Sequence, residues 1–509
     1  MGNMRQELEA LAAGITRSRF LTKLLACCIA ALLVASVLVV SRGKQERPQA
    51  HRAAVSVESA STEISSSLAP TGSPGAQETT LTVGGTGGKA TSRPGSRATG
   101  TGSGSTKLTA TDRGVTKDSV LVAVIVPSGA NFSYGSTLGI PVASYPMSDF
   151  VAPFVKEVNA TGGISGRKLE VAMVEFNLLS RDDWQAACVK AAEDLKAFAV
   201  LTTGGYEGNE GEGCLADKQL PTITFNLSSE DMLHRREKGW IRQILMNVDR
   251  TVKNWVDWAI QSGIASSSKR MGVWWQAAAD DDLLVNNVLL PYMKSRGLNV
   301  VATFGFSNDT SQWPVEASSA VLRFKSSKVD LVWPAGNWFQ NTFFTRQAES
   351  QDYHPRYTAS DFGFVTTESM SQMYDANQWD RVRAVTVFRT GEQAAGKDPT
   401  PEQKQCQEAY QRYGGKPPQN MMDSEALFLA CEQVWLLAKA ARLVGPDLTR
   451  ARFLAAIDSL GTYNERVAMS DPLTFRKGKY DGADRYAVIE WRKECKCYHQ
   501  VEGFRSGKW

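Results

Sequence analysis

The chain has 509 residues, of which 42% are hydrophobic and 22% charged, and its formal net charge is +4. That length exceeds one ordinary domain and allows two or three. So small a net charge, with no dense basic block in the folded part, argues against nucleic-acid binding, which draws on a clustered basic face.

Residues 24–40 (LLACCIAALLVASVLVV) are apolar except for Ser36 and follow Arg17, Arg19 and Lys23. The run is at the short end for a membrane span and slightly longer than a usual signal-peptide core. No small-x-small cleavage site follows, because Ser41-Arg42-Gly43-Lys44 comes straight after. A signal-anchor is therefore expected, with a cleaved signal peptide as the alternative. The bulk of the chain is extracytoplasmic either way, anchored to the cell membrane in the first case and secreted in the second. Residues 41–115 are dominated by Ser, Thr, Gly, Ala and Pro. They lack the apolar content to pack a core and read as a disordered tether.

The folded part opens with an apolar strand at 120–126, followed by a glycine loop containing Tyr134-Gly135. Helical spacing over 150–159 stops at Gly162-Gly163, where a C-terminal cap needs positive φ. An extended, β-branched run at 167–174 begins at once. Strand, loop, helix, Gly-Gly turn and strand form a βαβ unit, which builds parallel sheets. The alternation continues with a helix at 183–195, strands at 198–203 and 221–225, a helix at 252–262 and a strand at 270–275. A helix at 280–297, a strand at 299–304, a helix at 315–325, a strand at 329–333 and a helix at 342–351 follow. Regular βα repetition predicts doubly wound α/β sheets. Asp280-Asp281-Asp282 lacks the spacing and glycine of a calcium loop and reads as a helix start, where carboxylates meet the positive dipole end. Trp274, Trp275, Trp333 and Trp338 fall near strand ends and read chiefly as core packing.

Beyond the tether lie Cys188, Cys214, Cys406, Cys431, Cys495 and Cys497. An even set in an exported chain favours disulfides. Proximity in sequence pairs Cys188 with Cys214, Cys406 with Cys431, and Cys495 with Cys497. On a strand, Cys495, Cys497 and His499 would share one face, a rival soft-metal arrangement without a visible fourth ligand. His51, His234, His354 and His499 are scattered, and no His-Glu-x-x-His, Gly-x-Ser-x-Gly or P-loop pattern occurs. No catalytic residue, resident metal or cofactor is expected, and the chain is not read as an enzyme.

The first βα unit, with its turn Asn159-Ala-Thr-Gly-Gly-Ile-Ser-Gly-Arg-Lys-Leu169, resembles the branched-chain amino-acid-binding (leucine-binding-like) family of type I periplasmic binding proteins. These are substrate-binding proteins of ABC transporters, and the resemblance runs from about residue 119 to the C-terminus. It implies two doubly wound parallel-sheet lobes joined by a three-stranded hinge, with crossings near 245–249, 385–390 and 463–474. The first lobe would comprise 116–246 plus 388–465 and the second 247–387 plus 466–509, with a helix at 423–442 packed on the first. By position it implies that Gly204, Gly205 and Tyr206, with Asn226 and Ser228, receive a ligand carboxylate. Tyr134 becomes a cleft tyrosine, Asp361 a partner for a ligand ammonium, and Asn337 part of the second lobe's wall. The loop 276–280 (Gln-Ala-Ala-Ala-Asp) and Asn337 stand where the family often has tyrosines, so amino-acid specificity stays open. The expected function is capture of a small polar solute, such as an amino acid or amide, for an ABC permease. The alternative is a membrane-tethered receptor-like or scaffold module of the same fold that regulates a protein partner.

Overall fold

Val120, Val122, Ala123, Val124, Ile125 and Val126 are all buried, so the strand that carries them, β1 (Ser119–Pro127), is covered on both faces. That is the environment of a parallel sheet flanked by helices on each side. The computed structural model describes residues 108–129, 141–178, 180–206, 208–277 and 279–509. The apolar run 24–40, nearly all of the expected tether and Tyr134 lie outside the described residues. Among the described residues no helix is long and apolar enough to cross a membrane.

Strand β1 pairs in parallel with β2 (Lys168–Phe176) and β3 (Ala199–Thr202), and β4 (Thr222–Thr224) and β5 (Ile241–Gln243) extend the sheet in the order β2-β1-β3-β4-β5. The second sheet contains β6 (Met271–Gln276), β7 (Val300–Phe306), β8 (Leu331–Ala335), β9 (Arg356–Ala359) and β10 (Arg383–Thr386). These five are also parallel, and read from the β7 side they repeat the first order as β7-β6-β8-β9-β10. Strands β11 (Gly461–Tyr463) and β12 (Leu473–Phe475) make a separate antiparallel pair. The hairpin of β13 (Arg485–Arg492) and β14 (Cys497–Ser506) adds antiparallel to β10.

The opening turn is built by its own side chains. Helix α1 (Met147–Ala160) ends with the Gly163 N–H donating to Val158 O at 2.9 Å and the Thr161 N–H to Glu157 O at 3.0 Å. Gly163 has φ +63, and a Cβ there would sit 2.0 Å from Arg167 O, so only glycine fits. Asn159 then joins helix to strand, accepting from the Leu169 N–H at 2.7 Å and donating to Leu169 O at 3.0 Å.

Helix α2 (Arg181–Val189) covers one face of the first sheet, and α3 (Val248–Gln261) covers the second. Helices α4 (Trp313–Ser326) and α5 (Trp338–Ser350) cover the second sheet's opposite face. Helices α6 (Pro401–Arg412) and α7 (Met421–Val444) return to the first core. On α7, Gln433 Nε2 donates to Thr202 O at 2.8 Å and Trp435 Nε1 to Glu157 Oε2 at 2.9 Å. Arg442 near its end donates to Gly163 O and Val158 O, capping α1.

The apolar cores divide between Met246 and Val248 and between Val385 and Val387. Val467, Leu473, Phe475 and Ala483 still belong to the first core, whereas Tyr486 and Val488 belong to the second. The last crossing therefore follows Ala483, later than the boundary at 465 expected from the resemblance. Three segments side by side tie the lobes: Gln243 bridges Asp481, and Phe388 bridges Ser470. Trp274 and Trp333 have no exposed surface and Trp275 is buried, so these three are core residues, and half-buried Trp338 packs on the face of the sheet that holds Trp274.

All three cysteine pairs are bridged as sequence proximity suggests. The Cys406–Cys431 bridge joins α6 to α7 across a separation of 25 residues, and both cysteines are fully buried. Loop-closure entropy for that separation is about 3–4 kcal/mol. The Cys406→Ser/Cys431→Ser variant should lose about that much stability in urea unfolding, and an unchanged midpoint would show that the bridge does not form in the protein.

Candidate functional site

In doubly wound sheets ligands bind beyond the carboxyl ends of the strands, so the loops after β3, β4, β6, β8 and β9 are the ones that matter. After β3, Gly204 and Gly205 take φ +109 and +72, the left-handed region in which glycine carries no steric penalty. Tyr206 turns inward. Its ring packs against Phe176 and Trp184 with centroids 4.9 and 5.8 Å away, and its hydroxyl donates to Trp184 O at 2.5 Å. Burial, with the Glu212 charge nearby, pushes the Tyr206 hydroxyl far above its usual range. The Tyr206 side chain therefore serves the first core and does not reach a ligand.

The loop then delivers a residue that sequence reasoning missed. Glu212, fully buried, accepts from Asn226 Nδ2 at 2.7 Å, from Thr202 Oγ1 at 3.3 Å and from Ser228 Oγ at 3.3 Å. The Ser228 N–H donates to Gln243 Oε1 at 2.8 Å. Both donors of Ser228 that the resemblance assigned to a ligand carboxylate are thus engaged inside the lobe. A buried carboxylate behind them would also repel a second one. The acidic glycine-rich run Gly208-Asn-Glu-Gly-Glu-Gly213 was the available signal, an acid that glycines allow the backbone to carry inward.

On the second lobe, Asn337 is the N-cap of α5. Its Oδ1 accepts from the Phe339 and Gln340 N–H groups at 3.0 Å, and its Nδ2 donates to Gln276 Oε1 at 2.8 Å. Asp361 follows β9 and is 1% exposed. One oxygen accepts from the Thr366 hydroxyl, and the other accepts from the Val387 N–H at 2.6 Å. Burial pushes its carboxyl up to about 6, against these hydrogen bonds and one from Thr386. Asp361 thus anchors the hinge strand, buried and with both oxygens already accepting hydrogen bonds inside the protein. Of the expected site residues the structure brings Asn226 and Ser228 together around Glu212, keeps Gly204 and Gly205 in the adjoining turn, and places Asn337 and Asp361 on the second lobe.

The lobes meet beside this wall. Phe225 lies against Phe364 of the second lobe and Phe388 of the hinge, with centroids 5.5 and 5.7 Å apart. Ser369 of the second lobe donates to Glu425 of α7 through its hydroxyl at 2.6 Å. At the hinge's outer side, Arg250 donates to Asp481 and Asp484 at 2.5 Å.

A cavity of about 480 Å³ opens between the lobes, within the size range of small-molecule sites. Asn209, Ser229, Asp231, Met232, Arg235 and Arg236 line it from the first lobe, and Asp249 with Leu283, Leu284, Asn287 and Val288 from the second. Arg236 is held by Asn209 at 2.6 Å and Asp217 at 2.9 Å, and Arg235 pairs with Asp231 one helical turn away. Asp249 Oδ2 accepts from the Glu230 N–H at 2.9 Å, which fixes its carboxylate at the start of α3. The first lobe brings Arg235 and Arg236, each paired with an aspartate, and the second brings Asp249 with the apolar side chains of Leu283, Leu284 and Val288.

Comparison with known proteins adds to this geometry. The sequence profile described as periplasmic binding protein matches residues 147–496, more than half of the chain. No curated protein sequence matches it. Among solved structures, it is similar to an ABC transporter substrate-binding protein from Desulfitobacterium hafniense in complex with Leu, at 16% identity and a TM-score of 0.55, over 75% of this chain and 100% of that one. It is also similar to a fatty acid ABC transporter substrate-binding protein from Thermomonospora curvata, at 15% identity and 0.58, over 78% and 94%. A solute-binding protein from R. palustris in complex with 4-hydroxybenzoate matches at 14% and 0.58, over 77% and 98%. The two lobes with one repeated strand order, the three crossings between them and the profile match agree: the chain belongs to the periplasmic binding protein family and has its type I fold.

Proposed function

We propose that this chain is an extracytoplasmic solute-binding protein, held at the membrane by residues 24–40, that captures a small polar solute between its lobes and presents it to an ABC permease. The carrying observation is the interlobe cavity, which draws Arg235 and Arg236 from one lobe and Asp249 from the other around an apolar wall. Opposite charges flanking an apolar wall complement an apolar amino acid or its amide, and closure of the lobes over it requires no bond chemistry. In this reading Asp249 takes the ammonium that the resemblance assigned to Asp361, and Arg236 takes the carboxylate or amide oxygen. The binding surface comprises Asn209 and residues 229–236 of the first lobe with Asp249 and residues 283–288 of the second, and Gly204, Gly205, Asn226 and Ser228 support it from behind.

Calorimetry of the purified protein against amino acids and amides tests this. Asp249→Asn and Arg236→Ala should each weaken binding at least about tenfold, or about 1.4 kcal/mol, while the thermal midpoint stays within a few degrees. Absence of heat with every compound in the set would sink the proposal. The engagement of Ser228 and Asp361 inside the protein favours a second reading, in which the same fold regulates a protein partner. A partner other than a permease, recovered equally by the wild type and Asp249→Asn, would support that reading.

A further inference from the structure

At the far end of the second sheet stands a cluster that solute binding does not use. Strand β10 begins at Arg383 opposite Glu490 of β13 and runs from there toward the hinge. The turn after β13, with Cys495, therefore lies at the end of the sheet opposite the cleft. Cys495 is exposed, and Cys497 and His499 are half-buried. The three ligand atoms lie within 4.8 Å of one another, and Cys495 Sγ is 3.7 Å from His499 Nε2.

A disulfide between residues two apart closes almost no loop, so it constrains the unfolded chain very little. Exposed bridges of this kind are the ones that exchange readily. The other two bridges span 26 and 25 residues and have at least one fully buried sulfur each. The short bridge is therefore poorly explained as a structural staple.

We propose that Cys495, Cys497 and His499 form a redox-gated site for a soft monovalent cation, Cu(I). In the oxidised state the sulfurs are bonded to each other and the site is closed. An external dithiol opens it by exchange. The Cys495–Cys497 bond breaks, two electrons and two protons pass to these sulfurs, and the dithiol closes its own disulfide. Cu(I) then displaces both thiol protons to solvent and takes two thiolates and the imidazole Nε2. Thiolate and imidazole ligands suit this ion, which accepts three-coordination, whereas a structural zinc site asks for a fourth ligand. Sulfur and nitrogen sharing one three-coordinate metal at ordinary bond lengths sit about 3.8 Å apart, close to the separation already present. Ligation through Nε2 leaves the ring proton on Nδ1. Arg492 Nη1 lies 3.3 Å from Nδ1 and must swing away, which its partly exposed side chain allows.

The test uses the full-length protein carrying Cys27→Ser/Cys28→Ser, which removes the two cysteines outside the three bridges, reduced with dithiothreitol, desalted without oxygen and titrated with Cu(I) held by the chelator bicinchoninate. Alkylation and mass spectrometry first confirm that Cys495 and Cys497 open while the other two bridges stay closed. The reduced protein should retain one Cu(I) per chain and the oxidised protein none. The Cys495→Ser/Cys497→Ser variant should fall to background, His499→Ala should bind at least tenfold more weakly, and Arg492→Gln should bind more tightly. The proposal is overturned by equal retention in oxidised and reduced protein, by retention in the double serine variant, or by unchanged affinity in His499→Ala. A short bridge that resists reduction as long as the buried two overturns it as well. Because the cluster is remote from the cleft, solute binding should be the same in all these variants, which separates this outcome from that of the solute-binding proposal.

Discussion

Replacing Arg167 with alanine should lower the stability of the folded part by about 3–5 kcal/mol, among the largest single-residue effects expected. Arg167 is the basic residue of the glycine turn, and it has no exposed surface. Its Nε donates to Thr116 O at 2.7 Å, and its Nη2 donates to Thr109 O and Pro446 O, both at 2.9 Å. One guanidinium therefore gathers the segment before β1, the turn before β2 and the loop after α7, which are distant in sequence. Burial lowers its pKa from the usual range, opposed by the Asp447 charge, yet arginine keeps its proton under all such conditions. Truncation strands three carbonyls and leaves the volume of a long side chain empty. Arg167→Lys should recover less than half of the loss, because a single ammonium cannot reach carbonyls laid out for a planar fork. Urea unfolding followed by tryptophan fluorescence measures both variants. A loss under about 1 kcal/mol for the alanine variant would mean that the gathered segments hold themselves.

The turn was legible because its information is local. Gly163 is imposed by a positive φ and by Arg167 O at its back, and apolar spacing marks the helix before it and the strand after it. The βα alternation was legible for the same reason, since each period is written within one element. The site was much less legible. Asp361 sits in Thr358-Ala-Ser-Asp-Phe-Gly363, which reads equally well as a surface turn, and only the packing of β9 beside the hinge strand buries it against the Val387 N–H. Ser228 looked available because its partner, Glu212, lies on a different loop. The late third crossing escaped for a similar reason. Leu473, Phe475 and Ala483 are short apolar positions among polar ones, and which core receives them is decided by residues far away in sequence. In the β13–β14 hairpin only β13 carries an apolar run, Tyr486-Ala-Val-Ile489, whereas β14 is largely polar and offered no strong periodic signal.

Lowering the pH from 8 to 5 should raise the unfolding free energy by several kcal/mol, the reverse of ordinary acid destabilisation. Two fully buried carboxyls carry the effect. Burial pushes Asp361 up to about 6 and Glu432 of α7 up to about 7, the latter against N–H groups of Met469 and Ala468 and the Arg389 charge. In the unfolded chain these groups return to 3.8 and 4.5. Between those values the folded state holds more protons, so stability falls as pH rises. The contribution is complete below about 4 and lost above about 7. At about 1.4 kcal/mol per unit, each group supplies at most about 3 kcal/mol. Asp484 works the other way: burial would raise it, but Lys479 and Arg250 hold it low, so its stabilising charge is lost only in stronger acid. Asp361→Asn and Glu432→Gln together should remove a large part of the slope between pH 5 and 8, with Glu368 and Glu425 carrying the remainder. A midpoint that rises with pH in the wild type, or a slope undiminished in the double variant, would refute this account. Both groups sit on chain crossings, Asp361 on the Val387 N–H and Glu432 on the Ala468 and Met469 N–H groups at 3.0 and 3.1 Å. Beside them, burial raises Glu368 to about 7 and lifts Glu425, and Glu425 accepts the Ser369 hydroxyl across the lobes. Protonation should therefore relieve charge at the hinge and at the lobe contact together, and the closed arrangement should gain stability on the acid side of neutrality.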